Sequence, residues 1–335
     1  MPRNHCEVPW RQAGKRVLYG SGTEADNLAI VGHMSGIRKP SRVLYTAVEH
    51  PAVREACLAC QRLGHRAEEI PVDHRGVVDL DALASMLDGD VAMLCIMQVN
   101  NETGAIQPIE QISHLRDQLC PQAALHVDGV QGYLRLPMDM RKWKVQSYAL
   151  SAHKIHGPKG IGALVINQGF KVTPIVYGGG QEKGMRSGTE NTPGIAGLNT
   201  CVSIYPQDAA QRLMALKTRL FEAIIQEVPS AVVNGPDLED EACAPHILNV
   251  SLPPVRSDTM LYALEGSGVY VSSGSACSSH RQKVSSVLKA MGVQANRAES
   301  ALRFSLSIYN TEEEMDYAAK QVGMHYRMLS KYTRR

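Results

Sequence analysis

From residue 17 onward the chain breaks into short apolar runs separated by polar turns. The runs alternate between two repeats. Residues 17–19, 42–46, 67–71, 91–99 and 124–127 are brief and rich in Val, Leu, Ile, Tyr and Ala, as buried strands are. Residues 25–35, 52–63, 79–87 and 109–119 carry apolar positions three and four apart, which predicts helices, with Asp79 as an N-cap. Strands alternating with helices predict a mostly parallel, doubly wound sheet. Polar residues stand at the ends of the predicted strands, at Asn101, Asp128 and Ser151, and open α/β sheets bind ligands along that edge. Helices over 193–204 and 207–228 follow, the second long, amphipathic and expected to link two domains. The pattern then changes to short strands at 231–234, 247–252, 269–272 and 302–306, with helices at 259–265 and 311–329, the last capped by Thr311. This predicts an irregular N-terminus over 1–16, a large α/β domain over 17–205 and a smaller α+β domain over 206–335.

Composition narrows the function. A chain of 335 residues with 44% apolar and 20% charged residues is long enough and apolar enough to fold around a large core. A net charge of +2 and 5% aromatic residues give no footprint for nucleic acid or for a membrane surface. No apolar run reaches the length of a bilayer span, and the first sixteen residues lack the apolar core of a secretory signal, so a cytoplasmic location is expected. Eight irregularly spaced cysteines do not form a disulfide framework. Cys57 and Cys60 make a CxxC, but on a predicted helix without a second ligand pair, which argues against zinc; the metal expectation is none.

The most informative stretch is Ser151-Ala152-His153-Lys154-Ile155-His156-Gly157-Pro158-Lys159-Gly160, between two predicted strands. Lys154 there is either a surface charge or a buried amine suited to Schiff-base chemistry. Asp128, 26 residues earlier, stands at the same sheet edge. A carboxylate near such a lysine is what a pyridoxal phosphate site needs, because it keeps the ring nitrogen protonated. Gly20-Ser21-Gly22-Thr23-Glu24, a tight turn between a strand and a helix, offers backbone N–H groups to a phosphate, although ordinary strand-to-helix turns look alike. Together these features favour the cofactor reading over a solvated strand end.

Four motifs then resemble one family. The lysine stretch 150–163, His126-Val127-Asp128-Gly129-Val130-Gln131, the glycine-rich 178–193 and Ser272-Ser273-Gly274-Ser275-Ala276-Cys277 are similar, in order, to those of NifS/IscS-type cysteine desulfurases, which are class V, fold-type I pyridoxal phosphate enzymes. The resemblance implies that Lys154 carries the cofactor, Asp128 pairs with its ring nitrogen, Gln131 meets its phenolic oxygen and His50 stacks on its face. Gly22, Thr23, Ser151 and His153 would hold the phosphate, with Thr189 reaching a phosphate in the other subunit of a homodimer. Asn101 would lie near the ring oxygen and substrate, and Arg303 would clamp the substrate carboxylate. Cys277, among Ser and Gly residues that suit a loop, would take sulfur from L-cysteine as a persulfide. It would leave alanine and pass the sulfur to an iron–sulfur scaffold or a tRNA-thiolation protein. The family's usual N-terminal motifs are not found, so the chain is expected to lack that segment. Selenocysteine lyase activity, an aminotransferase of the same fold, and a truncated, weakly active or inactive homologue that only dimerises or binds a scaffold are the alternatives.

Overall fold

The computed structural model describes residues 15–273 and 285–332. They divide into two compact units. The first comprises the chain up to Pro71, Val78–Val99 and Gln107–Gln207; the second comprises Val72–Val77, Asn100–Ile106 and the chain from Asp208 on.

The first unit runs β1 (Lys15–Tyr19), α1 (Gly22–Asn27), β2 (Arg42–Thr46), α2 (Pro51–Ala59), β3 (Arg66–Ile70), α3 (Leu80–Met86), β4 (Val91–Met97), α4 (Ile109–Leu119), β5 (Ala124–Asp128), β6 (Ser147–Ser151), β7 (Gly162–Ile166) and α5 (Thr192–Ile204). Its seven-stranded sheet has the order β1-β7-β6-β5-β4-β2-β3. The pairs from β6 through β3 are parallel, and β7 is antiparallel to both its neighbours. The mostly parallel α/β sheet is therefore as the sequence implied. Alternation along each strand fills two cores. Leu94 and Ile96 of β4 pack with Leu83 of α3 and Ile112 of α4. Met93 and Cys95, alternating with them in sequence, pack with Val53, Ala56 and Cys57 of α2 on the opposite face. Both faces of the sheet are covered, which is why its strands read as nearly unbroken apolar runs.

The turn expected over residues 20–24 ends sooner than the sequence suggested. Ser21 accepts a hydrogen bond from the Glu24 N–H (3.1 Å) and caps a helix that already begins at Gly22. A serine in extended conformation just before the helix satisfies one of its open N–H groups, so the polar run becomes the first helical turn. The helix then widens into a π-helical segment, Leu28–Gly32.

The second unit contains α6 (Ala209–Glu227), β8 (Val232–Val233), β9 (Ile247–Ser251), α7 (Ser257–Glu265), β10 (Ser272–Ser273), α8 (Ser286–Ala290), α9 (Ala295–Glu299), β11 (Ala301–Ser305) and α10 (Glu312–Leu329). A four-stranded antiparallel sheet, β10-β11-β9-β8, packs in one core with the buried faces of α6, α7 and α10. Helix α6 was expected to link two domains. It belongs wholly to this unit, because its stripe of Leu213, Leu216, Leu220 and Ile224 is buried in that core. Thr311 caps α10 through a reciprocal box with Glu314. The short helices α8 and α9 carry too few apolar positions to stand out in the sequence.

Candidate active site

The C-terminal ends of β5 and β6 carry the candidate site. Asp128 is the last residue of β5, and it is buried, with Oδ1 accepting the Val130 N–H at 2.9 Å. Burial pushes its carboxyl up; the Val130 N–H and the positive charges of His50 and Lys154 draw it down without cancelling the rise. Two residues back on the same face of the strand stands His126, fully buried. Its Nε2 is 3.1 Å from Asp26 Oδ1 of α1, and its Nδ1 is 2.9 Å from Ser147 Oγ. Burial pushes His126 down to about 3 and Asp26 well up, and the charge of Asp128 raises Asp26 further. Desolvation thus drives both members of the Asp26–His126 pair toward their neutral forms.

His50 enters from the turn between β2 and α2. It caps α2, with Nδ1 accepting the Ala52 N–H at 3.1 Å, so the ring is fixed by the start of the helix. Burial holds the imidazole below its ordinary range, Asp128 opposes that shift and Lys154 adds to it. Its neighbour Glu49 is buried. Glu49 Oε1 accepts from Thr46 Oγ1 (2.7 Å) and from the Met97 N–H at the end of β4 (2.7 Å). Met97 pairs in register with Asp128, so this carboxyl ties the His50 turn to the strand beside Asp128. Burial pushes Glu49 well up, while its two hydrogen bonds draw it down.

Lys154 lies in a 3₁₀ turn, Ala152–Ile155, directly after β6, and is half-buried. Its carbonyl accepts a hydrogen bond from the Arg135 guanidinium, which anchors the turn from below. Ser151 Oγ bonds His153 Nδ1 at 2.8 Å. Gly22 is buried where a Cβ would come within 2.7 Å of Val130 Cγ2 and 3.5 Å of Ser151 Cβ. The start of α1 therefore approaches the Asp128 loop and the end of β6 as closely as only glycine allows. Thr23 is exposed at this helix start. Gln131 is half-buried one turn beyond Asp128, with its carbonyl accepting from Arg135 Nη1 (3.3 Å).

The glycine-rich segment returns to the same helix start. Arg186 Nε donates to Glu24 Oε1 at 2.7 Å, and Glu24 Oε2 accepts the Gly20 N–H at 2.9 Å. A cavity of about 120 Å³ lies there, lined by Tyr19, Gly20, Gly160, Arg186 and the exposed Thr189 among others. The site residues of the first unit thus gather around one sheet edge, with Thr189 beside the helix start.

Asn101 and Arg303 belong to the second unit, although Asn101 was expected at the edge of the first sheet. The reason lies in residues 100–106, which leave β4 and bond within the second unit. There the Asn249 Nδ2 donates to Glu102 O (3.0 Å), and Arg303 Nη1 donates to Asn101 O (2.9 Å). Cys277 lies outside the described residues. Cys57 and Cys60 are buried in the core with Cys95, and burial pushes the Cys60 thiol up to about 12.

The residue-level reading did not single out Glu49, Asp26, Arg135 or the Glu24–Arg186 pair. A signal existed for Asp26, a lone carboxylate on the apolar face of Ala25, Leu28 and Ala29.

The fold is that of the class-V aminotransferases, and the chain belongs to that family, whose model matches residues 12–318. Within it, the chain is 38% identical over 300 residues to a cysteine desulfurase of Sinorhizobium fredii, an alignment covering 88% of this chain and 76% of the relative. A solved NifS-like protein superposes with a TM-score of 0.86 at 35% identity, covering 94% of this chain and 83% of the other. A solved structure of SspA in complex with cysteine gives a TM-score of 0.77 at 27% identity, covering 91% and 86%.

Proposed function

We propose that this chain is a pyridoxal-phosphate-dependent cysteine desulfurase that converts L-cysteine to L-alanine and takes the sulfur onto Cys277. The observation that carries the reading is the convergence of Lys154, Asp128 and His50, each within electrostatic reach of the others, at the carboxyl edge of the sheet. The similarity to cysteine desulfurases over most of the chain supports the substrate.

The residues present fit the cofactor. Asp128 is a buried carboxyl whose charged form is penalised by desolvation, and a protonated ring nitrogen would supply the counter-charge. His50, held below its ordinary range by burial and fixed by its cap, offers an aromatic face. The open N–H groups at Gly22 and Thr23, with Ser151 and His153, suit a phosphate. When bound, pyridoxal phosphate supplies an electron sink for the substrate's α-carbon. The work of the chain's own groups is then specific. Lys154 would hold the cofactor, and its Nζ as a free amine would take the substrate's α-proton. Gln131 and Asn101 orient polar atoms of cofactor and substrate, and Arg303 takes the substrate carboxylate. The Cys277 thiolate attacks the substrate sulfur and becomes a persulfide as the carbon–sulfur bond breaks.

The same reading makes the protein a cytoplasmic homodimer, with Thr189 serving the phosphate of the partner subunit. The sulfur then goes to an iron–sulfur scaffold or a tRNA-thiolation protein. Within the described residues no helix is long and apolar enough to cross a membrane.

The test is spectroscopic and chemical together. Protein reconstituted with pyridoxal phosphate is expected to absorb in the visible, and Lys154→Ala is expected to abolish that band. Cys277→Ala should keep the band and lose sulfide release from L-cysteine. A band that survives Lys154→Ala, or sulfide release that survives Cys277→Ala, contradicts the assignment.

A further inference from the structure

The second unit buries an amine against a thiol. Lys217 sits on the inward face of α6 between Leu213, Leu216 and Leu220, only 2% exposed. Its Nζ lies 2.8 Å from Cys243 Sγ and 2.8 Å from the carbonyl oxygen of Ala244. No carboxylate pairs with it among the described residues. An ammonium buried without a counter-charge costs several kcal/mol. Desolvation accordingly pushes this amine below the usual lysine range, the thiol opposing the shift. The sulfur is held in place from both sides of the chain. The Ile106 N–H donates to Ala242 O (2.7 Å), and the Ala244 N–H donates to Gly104 O (2.9 Å). Cys243 is 5% exposed, and Glu241, two residues before it, is open to solvent. Packing alone asks only for the lysine stem, and tethering Ala244 O asks only for one N–H. Neither requires a nucleophilic nitrogen set against a thiol.

We propose that Lys217 and Cys243 are a redox-responsive pair, which hydrogen peroxide joins through a covalent nitrogen–sulfur bond. The Cys243 sulfur attacks one peroxide oxygen. The O–O bond breaks, one water leaves, and the sulfur is oxidised by two electrons to a sulfenic acid. The Nζ of Lys217, 2.8 Å away, then attacks that sulfur once it has given up its proton. The N–S bond forms as the S–O bond breaks, and the departing hydroxide takes a proton from the nitrogen and leaves as a second water. Thiol, amine and one peroxide thus give a sulfenamide and two waters, with peroxide as the only oxidant. Sulfenic acids condense with backbone nitrogen in this way, and here a side-chain amine already occupies the position. An added thiol reverses the link by attacking sulfur and expelling the amine. The pair lies outside the residues assigned to desulfuration, so the two readings stand or fall separately.

The test treats the purified full-length protein with excess hydrogen peroxide, blocks thiols after denaturation, digests without reductant and maps peptides by mass spectrometry. The expected product is a linked pair of peptides carrying Lys217 and Cys243, lighter than their sum by two hydrogen atoms and separated by a thiol reductant. Lys217→Met should abolish the pair and divert Cys243 to sulfinic or sulfonic acid. Recovery of the wild-type Cys243 peptide only as alkylated thiol or sulfur oxyacid, while another cysteine in the same sample is oxidised, overturns the proposal. That wild-type result decides the matter even if Lys217→Met does not fold.

Discussion

At the scale of single residues, Glu49 and His50 divide one turn between them. His50 stands within electrostatic reach of Asp128 and Lys154, while Glu49 holds the turn down by accepting from Thr46 and from the Met97 N–H. Glu49→Ala leaves that buried N–H unsatisfied and is expected to cost about 1–3 kcal/mol. Glu49→Gln keeps an acceptor and should recover most of the loss. Urea unfolding of the three proteins checks this, and equal stability of the Ala and Gln variants would show that the hydrogen bonds do not matter. Lys154→Ala is expected to lower activity by roughly 10²–10⁴-fold, the range for loss of a positioned acid–base group, or more where attachment is lost as well. The family resemblance singled out His50, whose place before Pro51 by itself reads only as a helix entry. The sequence did not make Glu49 legible, because a glutamate before a helix reads as a solvated charge until its burial is known.

Elements explain what the sequence could and could not convey. The strands β2, β4 and β5 were readable because each is covered on both faces and so is apolar throughout. Asp128 stood out as the polar end of such a run. Residues 100–106 and 72–77 were not assigned to the second unit from sequence, because their membership depends on long-range contacts that no periodicity encodes. Within that unit Arg75 binds Asp73 and Asp240 (2.9 Å). The Ala242 N–H and Arg75 hold the Asp240 carboxyl below its ordinary range. A depressed carboxylate binds fewer protons in the folded than in the unfolded chain, so its stabilisation is complete above the unfolded pKa, roughly 3.9, and fades as pH falls through the folded value. Asp240→Asn should therefore be less stable than wild type at neutral pH, and the gap should close below about pH 4. A gap independent of pH in thermal melts would count against the charged contact. At the first helix, Gly22→Val is expected to weaken cofactor binding at least tenfold, about 1.4 kcal/mol, because even a Cβ there meets Val130 at 2.7 Å. Titration with pyridoxal phosphate followed by absorbance measures it.

For the whole molecule, the sheet order, the lysine edge and the family resemblance agree, and the resemblance was legible because several separate motifs occur in one order. Sequence motifs supplied the proposed roles of Cys277 and Arg303, while folding brought the buried carboxyls of Asp26 and Glu49 within reach of the charge of Asp128 and paired Asp26 with His126. A homodimer is the expected assembly, and light scattering at twice the chain mass, with a lower cofactor affinity in Thr189→Ala, is its signature. The most direct measurement of the central claim follows L-cysteine through one turnover of the reconstituted protein without reductant. Alanine should form in equal amount to a persulfide mapped to Cys277, and Cys277→Ala should form neither. Alanine formation without sulfur on Cys277, or amino transfer that persists in Cys277→Ala, would contradict the account.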